Sequence, residues 1–334
     1  MRIATYNVEW FDALFDDDGA LLVDDVITAR RKLPRRQQIT ALAQVFRAMD
    51  ADAVMVIEAP DTSARRSSTR ALSRFAEEFG LRTSAVVTGF TNDTQQEIAL
   101  MYDPAVLSVT HDPGAGPDAP RFDDVFAIDL DVDAAPDAVR FSKPPLELQA
   151  KTVDGAEFRM IGAHLKSKAP HGAKSPEDVL RLSIANRRKQ LAQAVWLRRR
   201  IDSLLEAGEE VIVLGDLNDG PGLDEFEHLF GKSSVEIILG QPPHALYDPH
   251  ASRALVSRIS AQPTTARFYL EHEQRYLQAL LDYIMVSDGL RRRHMPRWRI
   301  WHPFDDPQCW QDDALRKALL DASDHFPVTL DLSI

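Results

Sequence analysis

The sequence predicts an α/β domain built on layered sheets, and three observations lead to this fold class. The chain has 334 residues, of which 44% are hydrophobic, and this is enough to bury a sizeable core. Short apolar runs of strand length alternate with a few segments that have helical periodicity. No internal repeat, low-complexity tract or linker interrupts the chain, so we expect one domain over residues 1–334.

The first half of the chain predicts two helices among many strands. A strand is expected at 3–8, and residues 38–49 carry apolar side chains at helical spacing. The continuous apolar run 53–57 ends at Glu58, which is typical of a buried strand followed by a loop. A second helix is expected at 67–79. Further strands are expected at 82–88, 97–102, 105–110, 124–130, 145–152 and 157–164.

The second half predicts one long helix and three strands around a mixed region. The helix is expected at 176–206, with an apolar stripe formed by Leu180, Ile184, Leu191 and Val195. Residues 210–215 predict another buried strand, which ends just before Asp216. The region 222–278 has no clear pattern. The last strands are expected at 280–287 and 326–332.

Composition excludes several classes of protein. It rules out disorder, collagen and coiled coil, and a single cysteine, Cys309, rules out a disulfide scaffold. No apolar run approaches the eighteen or so residues that a membrane span needs. The N-terminus lacks the features of a secretory signal, so we expect a reducing cytoplasm. No protein partner can be inferred.

Net charge is the main argument against a nucleic-acid partner. The net charge of −12 disfavours a protein that holds nucleic acid by bulk charge alone. The opposite argument comes from residues 291–299, which hold five arginines around Trp298. Arginine contacts phosphate and stacks on bases, whereas a solvated charged face is the alternative explanation of this cluster.

Polar side chains follow or interrupt the apolar runs at six places along the chain. An acid inside an apolar strand is costly unless it is paired or binds a metal. Because these groups recur at successive strand ends, we expect them to form a single convergent site. The residues concerned are Asn7, Glu58, His164, Asp216 with Asn218, Asp282, and Asp324 with His325.

These segments, in this order, resemble the endonuclease/exonuclease/phosphatase superfamily. That group includes DNase I-like nucleases, abasic-site endonucleases, sphingomyelinases and inositol polyphosphate 5-phosphatases. The Gly-Asp-Leu-Asn string at 215–218 and the Ser-Asp-His string at 323–325 are common alone, but their order and spacing with Glu58 and His164 are specific. The His-Leu-Lys-Ser-Lys string at 164–168 is similar to a nuclease-like bacterial branch.

The resemblance implies a fold and an activity. The fold would be a four-layered α/β sandwich, with two mixed sheets packed face to face and helices outside. The activity would be hydrolysis of phosphate esters, which needs a metal, a base for water and donors for the developing negative charge. Mg²⁺ is the implied cofactor, with Mn²⁺ as a substitute, because carboxylate and amide oxygens suit hard cations.

The resemblance also implies roles for individual residues. Glu58 would be the main metal ligand, with Asn7 beside it and Asp324 as a further ligand or a group behind it. Asp216 would orient or deprotonate water, and Asn218 would hold the phosphate or nucleophile. His325 would pair with Asp282 and donate to the phosphoryl group, and His164 would donate to a non-bridging oxygen. The choice between Asp216 and His325 as the base stays open, as does the number of metals.

Four basic residues are candidates for contact with substrate, namely Lys166, Lys168, Arg187 and Arg188. For the lysines, a solvated loop is an equally good explanation. Three functions remain: a Mg²⁺-dependent nuclease of low sequence specificity, which we favour; a hydrolase of a small ester such as a phospholipid headgroup, inositol phosphate or nucleotide; and a non-catalytic binding protein. The last is disfavoured because every expected polar position is filled.

Overall fold

The computed structural model of the protein describes the chain apart from residues 29–31, 93, 95, 117, 130–136, 171, 221–230, 257–260 and 271–273. Its framework is two six-stranded sheets. The first sheet joins both ends of the chain. Its strands, in spatial order, are β15 (Arg297–Ile300), β16 (Val328–Asp331), β1 (Arg2–Asn7), β2 (Ala53–Ala59), β4 (Glu97–Tyr102) and β3 (Ala85–Thr88).

The second sheet is built from the middle of the chain. Its strands, in spatial order, are β11 (Leu246–Tyr247), β14 (Asp282–Ser287), β10 (Val211–Asp216), β9 (Glu157–His164), β8 (Leu146–Thr152) and β5 (Leu107–His111). Both sheets are mixed, since β1 and β2 are parallel, β9 and β10 are parallel, and the other neighbours are antiparallel. Two small hairpins lie outside them, β6 (Phe126–Ile128) with β7 (Asp137–Val139) and β12 (Ala266–Leu270) with β13 (Arg275–Ala279).

Helices cover the outer face of each sheet. Against the first sheet pack α1 (Arg35–Met49), α2 (Ser68–Phe79) and α8 (Asp313–Ala322), and against the second pack α3 (Pro176–Glu206) and α4 (Ser234–Leu239). Shorter helices are α5 (Pro249–Val256), α6 (Asp288–His294) and α7 (Pro307–Gln311). The order helix, sheet, sheet, helix is the four-layered α/β sandwich that the resemblance implied, and that prediction is confirmed.

The inner faces of the two sheets meet in an apolar core. It is made of alternate strand residues, because successive side chains of a strand point to opposite faces. Representative members, all fully buried, are Ile3, Met55 and Leu100 from the first sheet and Met160, Ile212 and Ile284 from the second. This packing fixes the two sheets against each other, so strand ends from both sheets have defined relative positions.

Element prediction was accurate where the pattern was strong and incomplete in the C-terminal third, where the strands expected at 280–287 and 326–332 are present as β14 and β16. The strands at 97–102 and 157–164 and the helix at 176–206 have the predicted bounds. The hairpin of β12 and β13, the edge strand β15 and the helices α4 to α8 were not predicted. The predicted stripe on α3 was partly wrong, since Leu180 is 51% exposed on a helical segment that precedes the buried part.

None of the helices in the described ranges is long and apolar enough to cross a membrane.

Candidate active site

Three predicted residues lie side by side across the second sheet. In the strand register, Asp216 at the end of β10 pairs with His164 at the end of β9 and with Asp282 at the start of β14. Gly215 has a φ of +135°, and a Cβ atom there would lie 2.0 Å from the Ala163 carbonyl oxygen. Only glycine fits this close approach, which explains the residue before Asp216 in the motif.

The first sheet supplies two more predicted residues from the ends of its parallel strands. Asn7 ends β1, and its Nδ2 donates to Asp216 Oδ2 over 3.0 Å, so the two sheets are joined at this point. Glu58 lies at an irregularity of β2 with a φ of 60°. A left-handed backbone at a non-glycine residue is strained and is often found at functional sites.

His325 reaches the same point from the segment before β16. Its Nδ1 lies 2.8 Å from Asp282 Oδ2, and its Nε2 lies 4.0 Å from Asp216 Oδ2. The carboxylates of Asp282 and Asp216 raise the pKa of His325 well above its ordinary value, although burial acts in the opposite direction and is the largest single influence. The imidazole is therefore held as a cation that can donate from Nε2.

Asp216 is at the centre of the group and is almost fully buried. Its Oδ1 accepts from the Asn218 backbone N–H at 2.7 Å, and its Oδ2 accepts from Asn7 and, at 3.3 Å, from Asn218 Nδ2. Burial raises the pKa of Asp216 to about 7; nearby Asp282 adds to this, whereas His325 lowers it. A carboxyl group that titrates near neutrality is suited to exchange protons with water.

His164 has the opposite electrostatic environment from His325. Burial and the nearby Lys143 lower its pKa well below the ordinary value, so the ring is neutral. Lys143 Nζ lies 3.2 Å from His164 Nδ1. Because an ammonium group can only donate, Nδ1 accepts and the ring proton is on Nε2. That Nε2 lies 3.7 Å from Asp216 Oδ2, so it points into the site as a donor.

Lys143 and Gln96 are site residues that the sequence analysis missed. Lys143 Nζ also donates to Gln96 Oε1, and Gln96 Nε2 donates to Glu58 Oε2 at 2.6 Å. Glu58 is thereby linked through Gln96 and Lys143 to His164. Burial lowers the pKa of Lys143. The only sequence signal was a lysine directly before a Pro-Pro pair at the entry to β8, which by itself carries no chemistry.

The donor set fits a divalent cation. In the described parts of the chain, Asp282 Oδ1 and Asp324 Oδ1 are buried without a hydrogen-bond partner. Ligand atoms of Asp216, Asp282 and His325 all lie within 4.8 Å of one another. Buried carboxylate oxygens without donors are costly, and a hard cation is the partner that would satisfy them. These residues only partly overlap the predicted ligands Asn7, Glu58 and Asp324.

Asn218 holds the loop that follows β10. Its φ is 49°, and its Nδ2 donates to the Leu165 carbonyl at 3.1 Å as well as to Asp216. From α3, Gln190 Nε2 donates to the carbonyls of Lys166 and Asn218, both at 2.9 Å. The loops after β9 and β10 are therefore fastened to each other and to the helix.

The four predicted substrate contacts have different positions. Lys166 is half-buried in the loop after His164, and burial lowers its pKa. Lys168 Nζ lies 2.8 Å from Asp219 Oδ1, and Arg187, which is 1% exposed, lies 2.7 Å from Asp219 Oδ2. Arg188 pairs with Asp137 at 2.9 Å. Enclosure of Arg187 favours a structural role over the predicted contact with substrate.

The arginine cluster at 291–299 does not border this group. Helix α6 follows the end of β14 that is remote from Asp282, and Arg297 pairs in register with Asp331, at the end of β16 remote from His325. The cluster is therefore at the opposite end of the sandwich. The strongest local argument from sequence for a nucleic-acid substrate is lost at this site.

The hairpin of β12 and β13 provides a different surface beside the site. Ala266 bridges to His325, and the Phe268 ring contacts the His325 ring edge to face at 5.5 Å. Arg267 Cζ lies 3.3 Å from the centroid of Tyr276, a ring that is 49% exposed. The Arg267 backbone N–H donates to the Asp324 carbonyl at 2.7 Å, so the hairpin is fastened to the segment that carries His325. Because successive side chains of a strand alternate, Arg267 and Tyr276 are on the hairpin face opposite to Phe268, and a cation with exposed aromatic rings lies on that outer face. This surface could not be predicted from the sequence, because the surface depends on how the hairpin folds back onto the sheet.

Comparison with known proteins agrees with this arrangement. Solved structures that match include TDP2 from Caenorhabditis elegans (TM-score 0.52, 12% identity, covering 99% of this chain and 73% of that one). An endonuclease/exonuclease/phosphatase family protein from Bacteroides thetaiotaomicron matches with TM-score 0.52 and 14% identity over 99% and 94% of the two chains. SmcL matches with TM-score 0.51 and 16% identity over 98% and 97%.

These identities show a shared fold alone. No curated protein matches the chain in a sequence search. The model of the Endonuclease/Exonuclease/phosphatase family, however, matches residues 4–325, a span that begins before Asn7 and ends at His325. The chain therefore belongs to the endonuclease/exonuclease/phosphatase family and is a phosphoesterase by class.

Proposed function

We propose that the protein is a Mg²⁺-dependent phosphodiesterase that cleaves nucleic acid with low sequence specificity. The observation that carries the proposal is the convergence of Asp216, Asp282, His325, His164 and Asn7 from both sheets at one point. It places a carboxylate that titrates near neutrality between two histidines of opposite protonation state. These are the components that hydrolysis of a phosphate ester requires.

Each side chain has a distinct part in the mechanism. Asp216, held by Asn7 and Asn218, orients the attacking water and accepts its proton. His325, kept protonated by Asp282, donates from Nε2 to the phosphoryl group or the leaving oxygen. His164 donates from Nε2 to a non-bridging oxygen, because Lys143 occupies its Nδ1. These roles favour Asp216 over His325 as the base.

When bound, a divalent cation would neutralise charge on the phosphate and make a water more acidic. We propose that Glu58, Asn7 and Asp324 would hold it. The unpartnered buried oxygens of Asp282 and Asp324 support this proposal. Mg²⁺ suits these hard oxygen donors, and Mn²⁺ is expected to substitute.

The hairpin beside His325 is the reason for preferring nucleic acid. Arg267 can contact a phosphate while it stacks on Tyr276, and the exposed rings of Tyr269 and Tyr276 offer faces for bases. None of these contacts reads a base edge, so little sequence preference is expected.

A second candidate is hydrolysis of a compact phosphate ester. It is favoured by the remote position of the arginines at 291–299 and by the net charge of −12. Both features weaken binding of a long polyanion. Binding of a compact ester would need only contacts with Lys143, the two histidines and the cation.

The test is cleavage of plasmid, single-stranded DNA, RNA and bis-p-nitrophenyl phosphate, each with Mg²⁺, Mn²⁺ or EDTA. We expect nicking that EDTA, Asp216→Asn and His325→Ala each remove. The matched control is His294→Ala, which changes a histidine at the opposite end of the sandwich. Turnover of the small ester without cleavage of any nucleic acid would support the second candidate instead.

A second measurement separates binding of nucleic acid from the hydrolysis step. Arg267→Ala with Tyr276→Ala should raise KM for nucleic acid about tenfold and leave kcat/KM for bis-p-nitrophenyl phosphate unchanged. Equal losses on both substrates would argue against a nucleic-acid role for the hairpin. Metal binding is followed independently as a rise in Tm with Mg²⁺, which Glu58→Gln should reduce.

A further inference from the structure

A groove at the far end of the sandwich combines arginine side chains with aromatic rings. It has a volume of about 700 Å³, and its lining includes Arg291, Arg297, Tyr247 and Trp298. Cavities of this size take ligands up to the size of a nucleotide. Neither the resemblance nor the site already described assigns it a role.

The groove is well separated from Asp216. It lies between β11 and β15, which are edge strands of the two sheets. His325 and Asp331, the register partner of Arg297, are six residues apart along an extended segment. At about 3.3 Å per residue, the two ends of this segment are separated by about 20 Å. A ligand in the groove would therefore not touch the candidate active site.

Neither arginine that lines the groove forms an ion pair in the described parts of the chain. In the residues that the structure describes, neither Arg291 nor Arg297 lies within 4.0 Å of a carboxylate, although acids greatly outnumber bases in the chain. The neighbouring arginines are all paired, as Arg292 with Asp288, Arg293 with Glu210 and Arg299 with Asp306. Asp331, the register partner of Arg297, pairs with Arg2 instead. Two arginines that line one groove without an ion pair favour an anionic ligand.

The aromatic residues add a second recognition element. Arg291 Cζ lies 3.9 Å from the centroid of the Tyr247 ring, and the Tyr247 and Trp298 centroids are 5.6 Å apart, edge to face. Trp298 Nε1 donates to the Ile284 carbonyl at 2.7 Å, which fixes the indole. A guanidinium stacked on a ring keeps its N–H groups directed sideways, where they can bind phosphate, and still offers a flat outer face.

We propose that this groove binds a nucleotide unit, with its phosphate between Arg291 and Arg297 and its base against the stacked surface of Arg291, Tyr247 and Trp298. A free nucleotide and one unit of a single strand share this chemistry. The inference deepens the proposed function. Its strand-binding form rests on that function, because a nucleic-acid strand bound in the groove would be held at a point remote from the bond that is cleaved.

The experiment measures binding in EDTA, so that no turnover occurs. The probes are AMP by calorimetry and fluorescein-labelled oligo-dT of 4 and 20 nucleotides by anisotropy. Arg291→Ala with Arg297→Ala should weaken binding at least tenfold. The matched control, Arg292→Ala with Arg293→Ala, removes the same charge from two paired arginines and should change binding less than twofold. Thermal unfolding of both double variants checks that they fold.

The outcomes show whether the groove binds a ligand and whether that ligand is a free nucleotide or a strand. A loss for AMP and strands alike supports a nucleotide site, and a loss for strands alone supports a strand site. Unchanged binding in the groove variant, or an equal loss in the control, overturns the proposal. Failure of the proposed function would appear separately, as a wild-type protein that cleaves no nucleic acid. The comparison of the two double variants would still show whether the groove binds a nucleotide unit.

Discussion

Lys143 shows how one side chain can set the chemistry of another. Its ammonium group donates to His164 Nδ1 and to Gln96 Oε1, and Gln96 in turn donates to Glu58. Burial lowers the pKa of His164, and the contact with Lys143 lowers it further and fixes the tautomer of the neutral ring. A neutral donor and a cationic donor, His164 and His325, thus flank Asp216.

Replacing Lys143 should therefore affect both the ring and the rate. We expect Lys143→Met to raise the pKa of His164, because a neighbouring positive charge is removed, and to lower kcat/KM on the order of 10²-fold. Lys143→Arg keeps the charge and should retain more activity. The readouts are the His164 ring nitrogen shifts in NMR titrations and the hydrolysis rate. An unchanged His164 titration would show that Lys143 does not control the ring.

Asp216 gives a prediction for the pH dependence of the rate. The pKa of its carboxyl group is raised to about 7, mainly by burial. Because a base acts when ionised, kcat/KM should rise as pH increases through this value, and a bound cation should move the midpoint lower. The measurement is a pH–rate profile at low and saturating Mg²⁺. A midpoint that does not respond to Mg²⁺ would argue against a cation next to Asp216.

At the scale of elements, α3 braces the loops that carry the site. Gln190 binds carbonyls of the loops after β9 and β10, and Arg187 pairs with Asp219, the residue after Asn218. Lys168 pairs with the same carboxylate from the other loop. Asp219 and Arg187 are both buried, so the three charges form one enclosed unit. Its position directly behind Asn218 indicates that it positions that residue.

Breaking this unit should cost stability more than substrate affinity. Arg187→Met leaves the buried Asp219 carboxylate with Lys168 and the backbone N–H groups of Gly220 and Ser234. Loss of one partner of a buried ion pair typically costs about 3–5 kcal/mol. We expect a lower free energy of unfolding in urea, a reduced kcat and little change in KM. Arg188→Met, one residue along the helix in a half-exposed pair, is the control. A raised KM with unchanged stability would instead place Arg187 in contact with substrate.

At the scale of the whole molecule, buried titratable groups outside the proposed catalytic set contribute to the response to acid. Burial, with a contribution from Arg253, lowers the pKa of His250 to about 4. The ring is neutral when folded but binds a proton in the unfolded chain below about 6.5. The unfolded state then holds more protons, so stability increases with pH across this window and is lost as pH falls from about 6.5 toward 4.

His250→Gln should remove this part of the acid sensitivity. Between pH 7 and pH 4.5 the wild type should lose on the order of 2 kcal/mol more than the variant. Asp248, whose pKa is raised to about 6, has the opposite sign but is present in both proteins. Urea unfolding at several pH values gives the difference. Parallel stability curves for the two proteins would contradict the assignment.

Sequence alone proposed most of the residues that meet at the candidate site and most of the strands that carry them. The order of Asn7, Glu58, His164, Asp216, Asp282 and His325 indicated the family, and the apolar runs located their strands, because both signals are local in the chain. Their roles in catalysis stay predictions.

Only the tertiary structure decided what lies around those residues. Lys143, Gln96 and Arg267 come near the site through sheet register and a folded-back hairpin, and neither leaves a local pattern in the sequence. The arginines at 291–299 were a candidate nucleic-acid contact by sequence, with a solvated face as the alternative, and they lie at the other end of their strands. Residue type and spacing determine which groups are available. The direction and packing of the strands determine which of them meet, because contacts between distant segments depend on the whole core.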